Sequence, residues 1–263
     1  MGVLNVTPDS FSDGGRYSHT RTAVEHALQM VAEGAELIDI GAESTRPGSS
    51  HVPHQEQLRR LMPALKAIRR QTKARISIDT ASAAVAEACL NEGADIINDI
   101  TALRGDARMI GVLRKFSCGV ILMHMRGTPK TMQRRPAYKD VVASVRNFLT
   151  ERIEFCEQHG VARARLVVDP GIGFGKTLEH NLTILRRLKE LQQLKRPVLV
   201  GLSRKAFLGK ISGENIPERR VIESVTASVF AALNGAAILR VHDVAPHIAA
   251  LKIIAKLQRC AGP

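Results

Sequence analysis

Eight short runs of β-branched and aliphatic residues punctuate the chain: VLNV (3–6), LIDI (37–40), ISID (76–79), IIND (96–99), VILMH (120–124), LVVD (166–169), VLVG (198–201) and ILRV (238–241). Between them lie segments of helical composition over 21–33, 55–70, 82–92, 107–116, 140–159, 178–191, 219–234 and 246–258. Within one of these, Ile184, Leu185, Leu188 and Leu191 recur at the spacing that lines one helix face. A local repeat reinforces the pattern. "EGAELIDI", "EGADIIND" and "NGAAILRV" each read as a helix end, a glycine and a strand. Gly34, Gly93 and Gly235 fit the left-handed position that stops a helix. Such alternation permits an open doubly wound α/β sheet or a closed barrel. Eight units, and no G-x-G-x-x-G after the first run, favour a single (β/α)8 TIM barrel.

No linker or low-complexity stretch divides the 263 residues, so one domain over 1–263 is expected. The chain begins almost on the first strand. Either a segment has been trimmed or the barrel lacks an N-terminal extension, and what closes its floor is left open. No apolar run reaches the ~18 residues needed to span a bilayer. No basic and apolar leader is visible, so a cytoplasmic location is expected. Cys89, Cys118, Cys156 and Cys260 form no C-x-x-C pair and read as reduced thiols. The net charge of +13 raises the question of polyanion binding, but aromatic residues make up only 3%. Single-strand binders stack bases on aromatic rings. The basic residues are also scattered along helices, as at Arg59-Arg60, Arg69-Arg70 and Arg186-Arg187. A solvated basic surface is the expectation, with neither nucleic acid nor membrane as partner.

"DPGIGFGKT" (169–177) has the ingredients of a nucleotide phosphate loop. That motif needs glycine five positions before the Gly-Lys pair. Here the position is Pro170, which lacks an N–H, so the match fails.

In a (β/α)8 barrel, chemistry collects at the C-terminal ends of the strands. Those ends carry Asn5, Asp79, Asn98-Asp99, His124, Asp169, Ser203-Arg204-Lys205, and Arg240 with His242. Any one of them alone reads equally as a helix cap. Arg240 and His242, two apart, share a strand face, and with Lys205 and Arg46 suggest a cationic cluster for phosphate or carboxylate. Asp79, Asn98 and Asp169 suggest a separate acceptor-rich cluster suited to a flat amino-imino heterocycle such as guanine or a pterin. Gly14-Gly15 and Pro47-Gly48 suit mobile lids.

"GVLNVTPDSFSDGG", "GAESTRPGS", "SIDT", "INDI", "LMHMRGTPKTMQ", "DPGIGFGK", "GLSRK" and "RVHD", in this order, resemble the bacterial dihydropteroate synthases over essentially the whole chain. The resemblance implies a (β/α)8 barrel that joins 7,8-dihydropterin-6-ylmethyl diphosphate to 4-aminobenzoate in folate biosynthesis. It implies pterin contacts from Asp79, Asn98, Asp169, Lys205 and Arg240, with Ile100, Met123 and Gly201 as walls. It implies diphosphate contacts from Asn5, Thr45, Arg46, Arg240 and His242, and Mg²⁺ at Asn5. Phe11, Ser44, Thr45, Pro47, Phe174, Ser203 and Lys205 would line the aminobenzoate site. Asp79, Lys205, Asp13 and Arg46 would form the catalytic group.

The seventh helical segment, RVIESVTASVFAALNG, is apolar round most of its circumference, where a surface helix shows one stripe. A homodimer is expected, as the resemblance also implies. Two alternatives remain at this point, and a third is already excluded. A methyltetrahydrofolate-corrinoid methyltransferase would share the pterin-holding carboxylates but needs no SRK and R-x-H cluster. A basic nucleic-acid binder would show steep salt dependence. A phosphate-loop ATPase already fails at Pro170.

Overall fold

The computed structural model describes residues 1–7, 16–43, 52–128, 130–132 and 136–259. The chain alternates strand and helix from β1 (Gly2–Asn5), α1 (Arg16–Ala32), β2 (Leu37–Gly41), α2 (His54–Arg69), β3 (Arg75–Asp79) and α3 (Ala83–Asn91). It continues through β4 (Ile96–Asp99), α4 (Met109–Lys115), β5 (Gly119–Met123), α5 (Val141–Gln158), β6 (Leu166–Asp169) and α6 (Leu178–Arg186). It ends with β7 (Leu199–Gly201), α7 (Ala206–Ser212), α8 (Val221–Leu233), β8 (Ile238–Arg240) and α9 (Val244–Arg259).

Strands β1 to β6 form one parallel sheet in chain order, and β7 pairs with β8. Two thin seams close the ring, through bridges Val168–Val198 and Gly2–Val241. At the seams the Val168 N–H donates to the Pro197 carbonyl at 3.0 Å, and the Val3 N–H to the Val241 carbonyl at 2.9 Å. The fold is a (β/α)8 barrel.

Strand residues alternate between its two sides. Ile38, Ile40, Ile76, Ile78, Ile97, Val120, Leu122, Val168 and Val200 belong to the main core against the helices. Each such burial stabilises by about 1.5–3 kcal/mol. The alternate positions include Asp39, Ser77, Asp79, Asn98 and Asp169, all buried. An apolar sleeve thus surrounds a polar bore.

Helix starts follow local chemistry. The Asp140 carboxylate accepts the Val142 and Ala143 N–H groups at 2.9 and 3.1 Å, and opens α5. Thr177 and His180 form a reciprocal cap on α6. Gly34, Gly93 and Gly235 have φ of 108°, 91° and 98°, the conformation the repeat required.

Two expectations need correction. The segment read as one helix over 178–191 breaks at Arg187 and continues as a tighter 3-10 turn over Leu188–Leu194. A short helix, α7, follows β7, so the apolar helix read as seventh is α8. That helix is inside out. Ser224, Ser228 and Ala231 are buried, while Ile222 is 78% exposed and Phe230 and Leu233 are 44% exposed. Beside it on α9, Ile253 and Leu257 are also exposed. Among the described residues no helix is long and apolar enough to cross a membrane. Cys89, Cys118 and Cys156 are buried free thiols, and burial pushes Cys89 up to about 12.

Candidate active site

Parallel register sets residues of neighbouring strands side by side, pointing the same way. Asn5, Gly41, Asp79 and Asn98 are successive Cα partners across β1 to β4. One rung deeper, Asp39 partners Ser77. Across the bore, β8 presents Arg240 opposite Gly201 of β7.

The bore is narrow enough for side chains to meet across it. Arg240 Nε donates to Asp39 Oδ2 at 2.7 Å, and a terminal nitrogen donates to Asp79 Oδ2 at 3.2 Å. Asn98 Nδ2 donates to the same Asp39 Oδ2 at 3.2 Å. The expected separation into a cationic and an acceptor cluster is therefore corrected. The bore is too tight to keep them apart, and Arg240 sits among the carboxylates.

The segment after β6 supplies the next wall. Asp169 Oδ1 accepts the Gly171 N–H at 2.6 Å, folding the segment back over the bore. Gly171 has φ of 65°, and any side chain there would run into the His124 carbonyl. Lys176 lies buried underneath. Its Nζ meets His124 Nδ1 at 2.9 Å and donates to the Gly171 and Phe174 carbonyls at 2.8 and 3.0 Å. Lys205 donates to the Ile172 carbonyl, and its Nζ sits 4.4 Å from the Phe174 ring centre. Thus "GKT" is a buried clamp followed by a helix cap, not a phosphate cradle.

A small apolar cluster of Met123, Met125 and Met132, with Ile100 and Phe174 packed on it, lines the same end. Ser203 Oγ accepts the His242 N–H at 3.2 Å and lies 3.1 Å from His242 Nδ1. Asp99, adjacent to Asn98, faces away from this constellation. It accepts the Thr101 N–H, the Thr101 hydroxyl and the Leu103 N–H, and holds the turn in which Ala102 and Leu103 adopt positive φ.

Burial reshapes the ionisable groups. It drives Asp79 up to about 7, helped by negative Asp39 and opposed by Arg240. Asp169 is raised by burial, against its Gly171 hydrogen bond and nearby Lys205. Burial lowers Lys205 to about 8 and Lys176 to about 7, with Asp169 opposing in each case. Burial opposes the Arg240 charge, yet the fields of Asp39 and Asp79 prevail and its pKa is raised. Perturbed carboxylates and lysines converging on one cleft mark a reactive site.

No group of three or more His, Cys, Asp or Glu able to hold a metal occurs among the described residues. A diphosphate-linked Mg²⁺ asks less, because it keeps waters and takes only one or two protein oxygens. Asn5 offers such an oxygen, its Oδ1 lying on the side of the strand end where Gly41 carries no side chain. The residues fit the ion.

The family model described as pterin binding enzyme matches residues 1–242. The dihydropteroate synthase of Escherichia coli K12 is 44% identical over 97% of this chain and 89% of its own length. The chain belongs to the dihydropteroate synthase family. A solved Xanthomonas albilineans dihydropteroate synthase with 4-aminobenzoic acid superposes with a TM-score of 0.94 at 45% identity, covering 100% of this chain and 93% of that one. Another structure from that organism, in complex with 7,8-dihydropteroate, gives 0.90 at 42% identity, covering 100% and 94%.

Of the positions expected to serve a dihydropteroate synthase, the barrel brings together Asn5, Asp79, Asn98, Asp169, Gly201, Lys205 and Arg240. It sets Ile100, Met123 and Phe174 in one apolar cluster and ties Ser203 to His242. Phe11, Asp13, Ser44, Thr45, Arg46 and Pro47 lie outside the described residues. Asp39 and Lys176 were missed. Asp39 stands inside the apolar run LIDI, and only the two-residue alternation separates it from Ile38 and Ile40. Lys176 stands within the stretch whose glycines suggest a phosphate loop, which hides its role as a clamp.

Proposed function

We propose that this chain, as a single barrel domain over 1–263, condenses 7,8-dihydropterin-6-ylmethyl diphosphate with 4-aminobenzoate, giving 7,8-dihydropteroate and pyrophosphate. The observation that carries this reading is the set of buried Asp79, Asn98 and Asp169 at strand ends, with Arg240 bonded to Asp79 among them. Flat-ring acceptors and an anion-binding cation share one cavity there. Asp79, Asn98 and Asp169 hydrogen-bond the pterin edge, with Met123, Ile100 and Gly201 as walls. Lys205 joins the ring contacts and, with Phe174 and Ser203, borders the aminobenzoate site. Arg240 stacks on the pterin and, with His242 and Asn5, grips the diphosphate. Thr45 and Arg46 join these anion contacts. Phe11, Ser44 and Pro47 complete the aminobenzoate side, and Asp13 faces the developing cation.

The dihydropterin ring delocalises a CH₂ cation, and carboxylates fixed nearby favour that charge. Departure of pyrophosphate therefore precedes attack, in SN1-like order, and no covalent enzyme intermediate forms. The aniline nitrogen then adds from a position set in advance by the site. Asn5 would hold Mg²⁺, which would supply further charge stabilisation to the leaving diphosphate.

The exposed apolar face of α8 and α9 suits a second copy of the chain, so the reading is of a cytoplasmic homodimer. Incubating the purified chain with the pterin diphosphate, Mg²⁺ and labelled 4-aminobenzoate should yield labelled dihydropteroate. No labelled product under conditions where the E. coli relative works would defeat the proposal.

A further inference from the structure

Asp39 is fully buried at the middle of β2. One oxygen, Oδ2, accepts from both Arg240 Nε and Asn98 Nδ2. The other, Oδ1, has no hydrogen-bond partner, and neither does Ser77 Oγ on the adjacent strand. We infer that Asp39 is a positioning residue, its single carboxylate oxygen fixing the Arg240 guanidinium at the diphosphate end and the Asn98 amide at the ring end. The inference rests on the reading of Arg240 as a diphosphate contact.

Three arguments support it. First, among the described residues the only other carboxylate bonded to Arg240 is Asp79, which the proposed pterin site also needs. Without Asp39, holding the guanidinium and holding the ring would compete for one group. Second, because Asn98 donates its Nδ2 to Asp39, its Oδ1 is turned out as an acceptor for a ring N–H. An amide free to flip would offer the wrong group half the time. Third, an apolar replacement of a buried ion pair is often neutral or stabilising. Stability alone does not account for a carboxylate kept in this bore with one oxygen unbonded.

The test compares Asp39→Leu and Asp39→Asn with Arg240→Gln. Asp39→Leu removes both contacts and should lower kcat/KM for the pterin diphosphate by about 100-fold, the scale of a small displacement among reacting groups. The KM for 4-aminobenzoate should not change. Asp39→Asn keeps an oxygen at the Oδ2 position, so an acceptor for Arg240 Nε and Asn98 Nδ2 remains and only the charge is lost. It should recover most of the kcat/KM for the pterin diphosphate that Asp39→Leu loses, with the KM for 4-aminobenzoate again unchanged.

Parent-like turnover in Asp39→Leu, or a folded Asp39→Asn no more active than Asp39→Leu, overturns the inference. If Asp39→Leu does not fold, Asp39→Ala takes its place, with the same expected loss and the same unchanged KM for 4-aminobenzoate. Normal turnover in Arg240→Gln would overturn both the diphosphate reading and the inference. Impaired turnover there, with normal turnover in Asp39→Leu, overturns the inference alone.

Discussion

Lys176 Nζ lies 2.9 Å from His124 Nδ1, and both side chains are buried. Burial lowers the lysine to about 7, and burial with the adjacent lysine lowers the histidine to about 3. The imidazole is therefore a neutral acceptor at physiological pH. Together the pair fixes the carbonyls of the loop that carries Phe174 and that Lys205 grips.

Replacing Lys176 by Met should leave the Phe174 carbonyl without its lysine donor, while the Gly171 carbonyl keeps the Phe174 N–H. An unsatisfied buried group costs about 1–3 kcal/mol, and that loss should appear in urea unfolding. The pH sign also follows. A lysine near 7 when folded and 10.5 when unfolded binds fewer protons in the native state across that window, so it contributes stability that grows as pH rises. The stability gap between parent and Lys176→Met should therefore widen from pH 7 to 8.5. A constant gap would contradict the buried-amine account.

Asp79→Ala should abolish turnover through lost pterin binding, because it removes a buried acceptor from the ring edge. Calorimetry with a pterin lacking the diphosphate checks this directly. Near-parental affinity would remove Asp79 from the ring contacts.

Arg240→Gln leaves Asp39 and Asp79 facing each other without a cation. Breaking a buried pair costs about 3–5 kcal/mol, so the melting temperature should fall sharply. The double variant Arg240→Met with Asp39→Leu should regain much of that stability while remaining inactive. Recovery of activity in the double variant would show that the pair serves the fold alone.

Much of this was legible before any coordinates. Eight apolar runs fix eight strands, since a chain that buries Ile38, Ile78 or Val168 against helices has few other architectures. Asp79, Asn98, Asp169, Lys205 and Arg240 announced themselves as polar residues at or just beyond strand ends. Asp39 did not, because a carboxylate flanked by isoleucines reads as a strand interior unless the two faces are separated. Lys176 was hidden by its neighbours, whose glycines suggested a phosphate ligand rather than a clamp on backbone carbonyls. Helix α7 was illegible for a simpler reason, as seven residues span too few turns to establish a period.

Ile222→Glu should convert the proposed homodimer into a monomer, because the substitution places a charge on the exposed apolar face of α8. Light scattering at micromolar concentration reads the mass. A parent that is itself monomeric, or a variant that stays dimeric, would remove α8 from the interface.

Asn5→Ala should raise the Mg²⁺ concentration needed for half-maximal turnover, with pterin affinity intact in the absence of metal. An unchanged Mg²⁺ requirement would relocate the ion.

The two thin seams of the barrel divide it unequally. Six strands carry Asp39, Asp79, Asn98 and Asp169, while the narrow β7–β8 ribbon carries Arg240 and leads into Ser203, Lys205 and His242. Every cation in the proposed leaving-group grip that comes from this ribbon is joined to the larger sheet by a few backbone bonds, by the Arg240 pairings and by the Lys205 bond to the Ile172 carbonyl. Loosening at Val198 or Val241 would therefore be felt first as slower expulsion of pyrophosphate, while the heterocycle stayed seated in the stiffer part of the wall.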